Sequence, residues 1–201
     1  MRRLWLAVPL LFSIAGCGYN RIQQLDEQAN GAQGQIEVQL QRRADLIPNL
    51  VNTVKGYAQH ESDVFTQVAQ ARAGVLGAVQ THDPQQMANA NAQMTGALGR
   101  LIAVAEAYPQ LKADQQFTRL MDELSGTENR IAVARGDYNA AAQEYNAYIR
   151  QFPQALTAKV TGAKPRNYFN VTNPAAREAP TVDFSKPSTP SPDSASSKAK
   201  P

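Results

Sequence analysis

Gln39-Leu40-Gln41-Arg42-Arg43-Ala44-Asp45-Leu46-Ile47-Pro48-Asn49-Leu50-Val51-Asn52-Thr53-Val54-Lys55-Gly56-Tyr57-Ala58-Gln59-His60-Glu61 decides how the chain folds. Ile36, Leu40, Ala44, Ile47, Val51, Val54 and Ala58 are spaced by threes and fours, which puts them on one stripe of a helix. Arg42, Arg43, Asp45, Asn49 and Lys55 lie off that stripe. Pro48 interrupts it. Having no amide hydrogen, it leaves the carbonyl of Ala44 without a helical partner, and it biases Ile47 away from helical geometry. The stretch reads either as one bent helix or as a reversal joining two antiparallel helices. Unbent, residues 19–79 would span about 90 Å at about 1.5 Å per residue, far more than the next helix could cover. The reversal is therefore the expectation.

The same letters resemble the LemA family of bacterial proteins, whose segment of the form VQLQRRADLIPNLVxTVKGYAxHE is matched almost throughout. The resemblance continues in Arg100-Leu101-Ile102-Ala103-Val104-Ala105-Glu106-Ala107-Tyr108-Pro109-Gln110-Leu111-Lys112-Ala113 and in Gly126-Thr127-Glu128-Asn129-Arg130-Ile131-Ala132-Val133-Ala134-Arg135. It takes in Tyr138-Asn139, Tyr145-Asn146, Phe152-Pro153 and Pro180-Thr181-Val182-Asp183-Phe184, and so covers roughly residues 19–184. One departure stands out: the family usually carries a tryptophan near Gln33, where this chain has Gly31, Gln33 and Gly34. The resemblance implies an all-α fold, an up-and-down antiparallel four-helix bundle with long helices. It implies a place in the cell envelope and very little chemistry.

Working outward, Ile22, Leu25, Ala29, Ala32 and Ile36 continue the stripe toward the amino terminus. Gly31 and Gly34 each cost about 1 kcal/mol against alanine in a helix, so fraying is expected there. On the other side the stripe resumes at Phe65 and Val68 and weakens through Gly74 and Gly77. Asp83-Pro84-Gln85-Gln86 is a helix start, with Asp83 able to cap and Pro84 suited to the first turn. Met87, Ala90, Met94, Ala97, Leu101, Val104 and Tyr108 follow in register, and Pro109 ends the run. A further turn through Lys112 leads to a second cap, Asp114. Phe117, Leu120, Leu124, Thr127, Ile131, Ala134, Tyr138, Ala141, Tyr145, Tyr148 and Phe152 then hold heptad spacing without a stutter. Ser125-Gly126-Thr127-Glu128 could open a new helix, but the unbroken heptad favours one helix over residues 114–151, stopped by Pro153. Residues 156–160 suggest a short turn, and Asn167-Tyr168-Phe169 a segment packing on the end of the bundle.

At 201 residues the chain suits one helical domain with appendages. Its net charge is only +3, partly from Arg2, Arg3 and the tail, so no basic face for nucleic acid is expected. Residues 1–17 read as a lipoprotein-type signal: Arg2 and Arg3, an apolar run from Leu4 to Ile14, then Ala15-Gly16 before Cys17. The run is shorter than the roughly 20 residues a spanning helix needs. Ile14-Ala15-Gly16-Cys17 is similar to a lipobox, which implies lipidation at Cys17, the only cysteine. Gly18 stands where aspartate would signal retention at the inner membrane, so the expected place is the outer membrane, facing the periplasm. The alternative is an inner-membrane protein with an uncleaved amino-terminal helix. The domain is expected over residues 18–184, with core helices over 19–152 and an extended segment over 153–184. Residues 185–201, rich in proline, serine and lysine, cannot bury enough apolar surface to order and read as a disordered tail.

His60 and His82 are the only histidines. A di-metal bundle wants Glu-x-x-His on two helices, but Tyr57 and Val79 stand three residues before them. No zincin motif, phosphate loop or nucleophile elbow appears. No catalytic residue, metal ligand or cofactor is expected. Arg42, Arg43, Asp45 and Asn49 beside Pro48, with Arg130 and Arg135, form a candidate partner-binding patch, in which Arg42 and Asp45 have salt-bridge spacing. The plainer alternative is a solvated turn. Tyr138-Asn139 and Tyr145-Asn146 recur seven residues apart, and the asparagines are expected to serve the tyrosine hydroxyls. The function expected is a lipid-anchored envelope scaffold or assembly partner, its partners being the membrane through Cys17 and an unidentified envelope protein or a second copy. The alternative, from Met87, Met94 and the alanines of the third helix, is a bundle that holds a small apolar or lipid ligand.

Overall fold

A computed structural model describes residues 7–171, with side chains from Gly18 onward. The first residues of the expected signal segment, the side chain of Cys17, residues 180–184 and the expected tail over 185–201 lie outside what is described. Six helices follow one another, and no strand occurs among the described residues: α1 Ala7–Lys55, α2 Ser62–Thr81, α3 Pro84–Glu106, α4 Pro109–Lys112, α5 Gln115–Tyr148 and α6 Gln154–Thr161. No described helix is long and apolar enough to cross a membrane.

The chain does not reverse at Pro48. α1 runs straight through it to Lys55, and the turn lies over residues 56–61. The cost that argued for a reversal was the orphaned carbonyl of Ala44. Arg72 on α2 meets it: its Nε donates to Ala44 O at 2.9 Å. A charged donor from a neighbouring helix thus replaces the missing amide, and Ala44 stays fully buried. The fraying expected at Gly31 and Gly34 is also absent, and α2 continues past Gly74 and Gly77 to Thr81. A penalty of about 1 kcal/mol per glycine is small beside the several large side chains these helices bury, each worth about 1.5–3 kcal/mol.

The start signals hold. Asp83 Oδ1 accepts from the Gln85 amide at 2.8 Å, with Pro84 in the first turn of α3. Asp114 Oδ1 accepts from Gln116 N and Phe117 N at 2.7 and 3.0 Å. α5 passes through residues 125–128 unbroken, the hydroxyl of buried Thr127 donating to Leu124 O at 2.7 Å.

Cross-links between elements fix their directions. α1 and α5 are antiparallel: Arg21 meets Glu144, Arg43 meets Glu128, and Tyr57 meets Asp114. α2 runs back along the later half of α1, from Phe65 beside Lys55 to His82 beside Gln33. α3 returns along α2, where Arg100 bonds Gln67. The main core lies in this four-helix region and includes Leu40, Ile47, Leu50, Met87, Met94, Leu101, Leu111 and Tyr138. Below it, where α2 and α3 no longer reach, a smaller cluster of Ile22, Leu25, Tyr145, Ile149 and Ala158 joins α1 and α5 to α6.

Candidate functional site

The expected patch is not one surface. Arg43 points inward and is only 5% exposed. Its Nη1 lies 2.5 Å from both Asn91 Oδ1 and Glu128 Oε2, and its Nη2 donates to Thr95 Oγ1 at 3.1 Å. One guanidinium therefore joins α1, α3 and α5. Burial lowers its pKa, and the Glu128 carboxylate partly offsets that effect. The expectation that Arg43 lies off the apolar stripe is thus not met: arginine is seldom buried unless paired, and here it is paired. The signal that could have found it is its spacing, three residues after Leu40 and four before Ile47, which puts it on the buried face of α1.

Arg42, Asp45 and Asn49 are exposed on the outer face of α1, and Arg130 and Arg135 are exposed on α5. Among the described residues no salt bridge joins Arg42 to Asp45, whose Oδ1 accepts from Gln41 Nε2 at 2.9 Å instead. Arg130 does line an open groove of about 330 Å³ between α1 and α5, with Gln35, Gln39, Asn129, Val133 and Asp137. Val133 is 64% exposed there, and Val38, on the neighbouring turn of α1, is 59% exposed. A strip along this groove, with Val133 and Arg130 on α5 and, one and three residues from Gln39 on α1, the exposed Val38 and Arg42, is what remains of the expected patch.

Two histidine regions carry no assembled chemistry. His60 is exposed in the α1–α2 turn. His82 closes α2 in the left-handed region, φ 52°, with Nδ1 2.9 Å from Glu37 Oε1. Gln33, standing near the position where the family usually has tryptophan, donates to His82 O at 2.9 Å and to Glu37 Oε1 at 3.0 Å. This buried amide pins the end of α2 to α1. Among the described residues, no three His, Cys, Asp or Glu side chains are grouped to hold a metal. Met87 and Met94 are fully buried in the main core, where they fill the space between helices.

The paired tyrosines and asparagines act on a segment that the sequence reading placed only loosely. After α6 the chain runs extended along α5. Asn146 grips it at both ends of one residue: Nδ2 donates to Arg166 O at 2.9 Å and Oδ1 accepts from Arg166 N at 2.7 Å. Asn139 does the same with Phe169, at 3.3 and 2.8 Å. Seven helical residues advance about 10.5 Å. Three extended residues advance about 10 Å, so the two repeats coincide. The asparagines therefore serve this strap and not the tyrosine hydroxyls. Tyr138 donates to Asn167 O at 2.6 Å, its pKa raised by burial, and Tyr145 has the Arg166 guanidinium over its ring at 5.6 Å. Arg166 then crosses to α1, where Nη2 meets Asp26 Oδ1 at 2.8 Å and Asn30 Oδ1 at 2.7 Å.

A family model described as the LemA family matches residues 32–184. Magnetosome protein MamQ 2 of Paramagnetospirillum magneticum is 32% identical over 174 residues, which cover 75% of this chain and 64% of that protein. Magnetosome protein MamQ of Magnetospirillum gryphiswaldense is 30% identical over 196 residues, covering 84% of this chain and 72% of its own. Protein LemA of Metamycoplasma hominis is 23% identical over 134 residues, covering 66% and 60%. This chain thus spans only 64% of the length of MamQ 2.

Proposed function

The chain belongs to the LemA family, and from that premise we propose that it is a lipid-anchored scaffold or assembly partner of the bacterial envelope with no catalysis of its own. Its four long helices work as one up-and-down bundle held by Cys17 at the outer membrane, facing the periplasm. The observation that carries the reading is how the arginines withdrawn from solvent are used. Arg43, Arg72 and Arg166 each tie one element to another, through Asn91, Thr95 and Glu128, through Ala44 O, and through Asp26. Buried charge spent on fixing helices rather than on facing a cleft supports a rigid support, not a reaction centre. The relatives' names point the same way, since they specify a cellular body and not a reaction. The partner, another envelope protein or a second copy, docks on the α1–α5 strip around Val38 and Val133, with Arg42, Asp45, Asn49, Arg130 and Arg135 setting its charge preference.

Two measurements test this. Intact mass and membrane fractionation of the wild type beside Cys17→Ser should show a lipid-sized increment and outer-membrane recovery, both lost in the variant. An unmodified mass in the soluble fraction would remove the anchor. A photo-crosslinking residue at Val133 in living cells should give one discrete adduct, to a single protein or to a second copy, that Arg42→Glu with Arg130→Glu abolishes. A site that yields no adduct would remove the scaffold reading.

A further inference from the structure

We propose that the outer face of α6 is a lipid-docking surface, and that it seats the bundle on an anionic membrane. On α6, Leu156 and Val160 are four residues apart and 60% and 88% exposed, and Phe152, in the turn just before the helix, is 83% exposed. Ala158, on the opposite side of α6, is buried against Ile22, Leu25, Tyr145 and Ile149. The helix thus holds the bundle with its small side and presents its large apolar side chains to the outside. A soluble surface rarely gathers three such residues within one turn and one short helix without a use for them.

Position and charge select the occupant. A methyl group on Gly18 would lie 3.6 Å from Gln154 Cγ and from Thr157 Oγ1, so α6 sits against the residue that follows Cys17. In the sequence, the apolar run from Leu4 to Ile14 leads into this residue. Tyr19, 44% exposed, adds an amphipathic ring of the kind that settles at headgroup level. No Asp or Glu occurs over residues 145–171, whereas Arg150, Lys159 and Lys164 are exposed. Two nearby acids are already used: Asp26 by Arg166 and Glu144 by Arg21. An exposed apolar patch edged by three cations, with no acid in its own segment, matches the boundary of an anionic bilayer, with the apolar side chains below the headgroups and the cationic groups among them. This deepens the membrane reading above but does not depend on lipidation of Cys17.

The test uses the full chain with Cys17→Ser, so that Leu156→Cys can carry a single environment-sensitive fluorophore. A parallel protein carries it at Val133→Cys, midway along α5. Vesicles of phosphatidylcholine with phosphatidylglycerol should shift the emission at position 156 to the blue and allow nitroxide lipids to quench it at least about twofold. The effect should fade in high salt and in pure phosphatidylcholine, and the label at position 133 should stay aqueous. Protein that floats with the vesicles while position 156 stays aqueous would overturn the proposal, because the amino-terminal segment alone would then be the contact. So would a chain that does not bind the vesicles, or a blue shift without lipid that grows with protein concentration, which would assign the patch to a second copy. A failure of lipidation in cells would leave all of these readings unchanged.

Discussion

Arg43 shows what one residue decides in this molecule. Its guanidinium reaches three acceptors on two other helices, a fork that an ammonium cannot reproduce. Arg43→Lys should therefore cost about 2 kcal/mol in urea unfolding, from lost charged hydrogen bonds and a stranded Asn91 carbonyl. Arg42→Lys, on the exposed face, should stay within about 0.5 kcal/mol. Equal effects would mean that burial of Arg43 carries no stability. Asp114 sets a second expectation, this one in pH. The amide of Phe117 and then the hydroxyl of Tyr57 hold its carboxylate below the ordinary value. A depressed folded pKa gives stability that is complete above the ordinary carboxylate range and lost as pH falls through the lowered value. Asp114→Ala should thus unfold at lower urea than the wild type at neutral pH, and the gap should narrow below about pH 4. A gap that stays constant with pH would sink the idea. The two residues also differ in how legible they were. Asp114 was readable as a cap because capping is local, whereas the role of Arg43 depends on Asn91, Thr95 and Glu128, which lie far off in sequence.

At the scale of an element, α1 turns on a compensation between Pro48 and Arg72. Local rules stated the cost of Pro48 correctly and named the carbonyl that would pay it. They could not supply the donor, which comes 28 residues later on a helix placed only by the fold. That is why the reversal expected from the sequence is not found. A double-mutant cycle tests the account. Arg72→Met should cost about 1–2 kcal/mol in the wild type, since it strands a buried carbonyl. With Pro48→Ala in place, the helical amide returns and the same change should cost well under half as much. Additive effects would show that Arg72 stabilises α1 by some other route. The third and fifth helices, by contrast, were legible from their caps and periodicity, because Asp83, Asp114 and an unbroken heptad all act within a few turns of chain.

The whole molecule has two storeys built on the shared pair α1 and α5. In the upper one α2 and α3 complete the core, whose lower edge also takes in Phe169; in the lower one they are absent, and α6 with the earlier part of the strap over residues 163–171 takes their place. The strap is the costlier solution, because an extended segment has no helical hydrogen bonds of its own and must borrow partners. Asn139, Asn146 and Tyr138 supply them, and Arg166 carries the link on to Asp26. The sequence announced this only as a repeat of Tyr-Asn at seven residues, a spacing that fits core register as well as it fits a strap. Loss of the clamp should therefore loosen one storey and spare the other. In Asn139→Ala with Asn146→Ala, each lost pair of bonds should weaken the strap by about 1–3 kcal/mol. Hydrogen exchange should rise at the amides of Arg166 and Phe169 and around Ile22, Leu25 and Ile149. Leu50, Val54, Met94 and Leu101 should keep their protection, because they lie toward the Lys55–Phe65 end of the bundle, away from residues 139–146. Uniform acceleration across both storeys would show that the bundle opens as a single unit, and the strap would then be a passenger on α5 and not the element that closes its lower half.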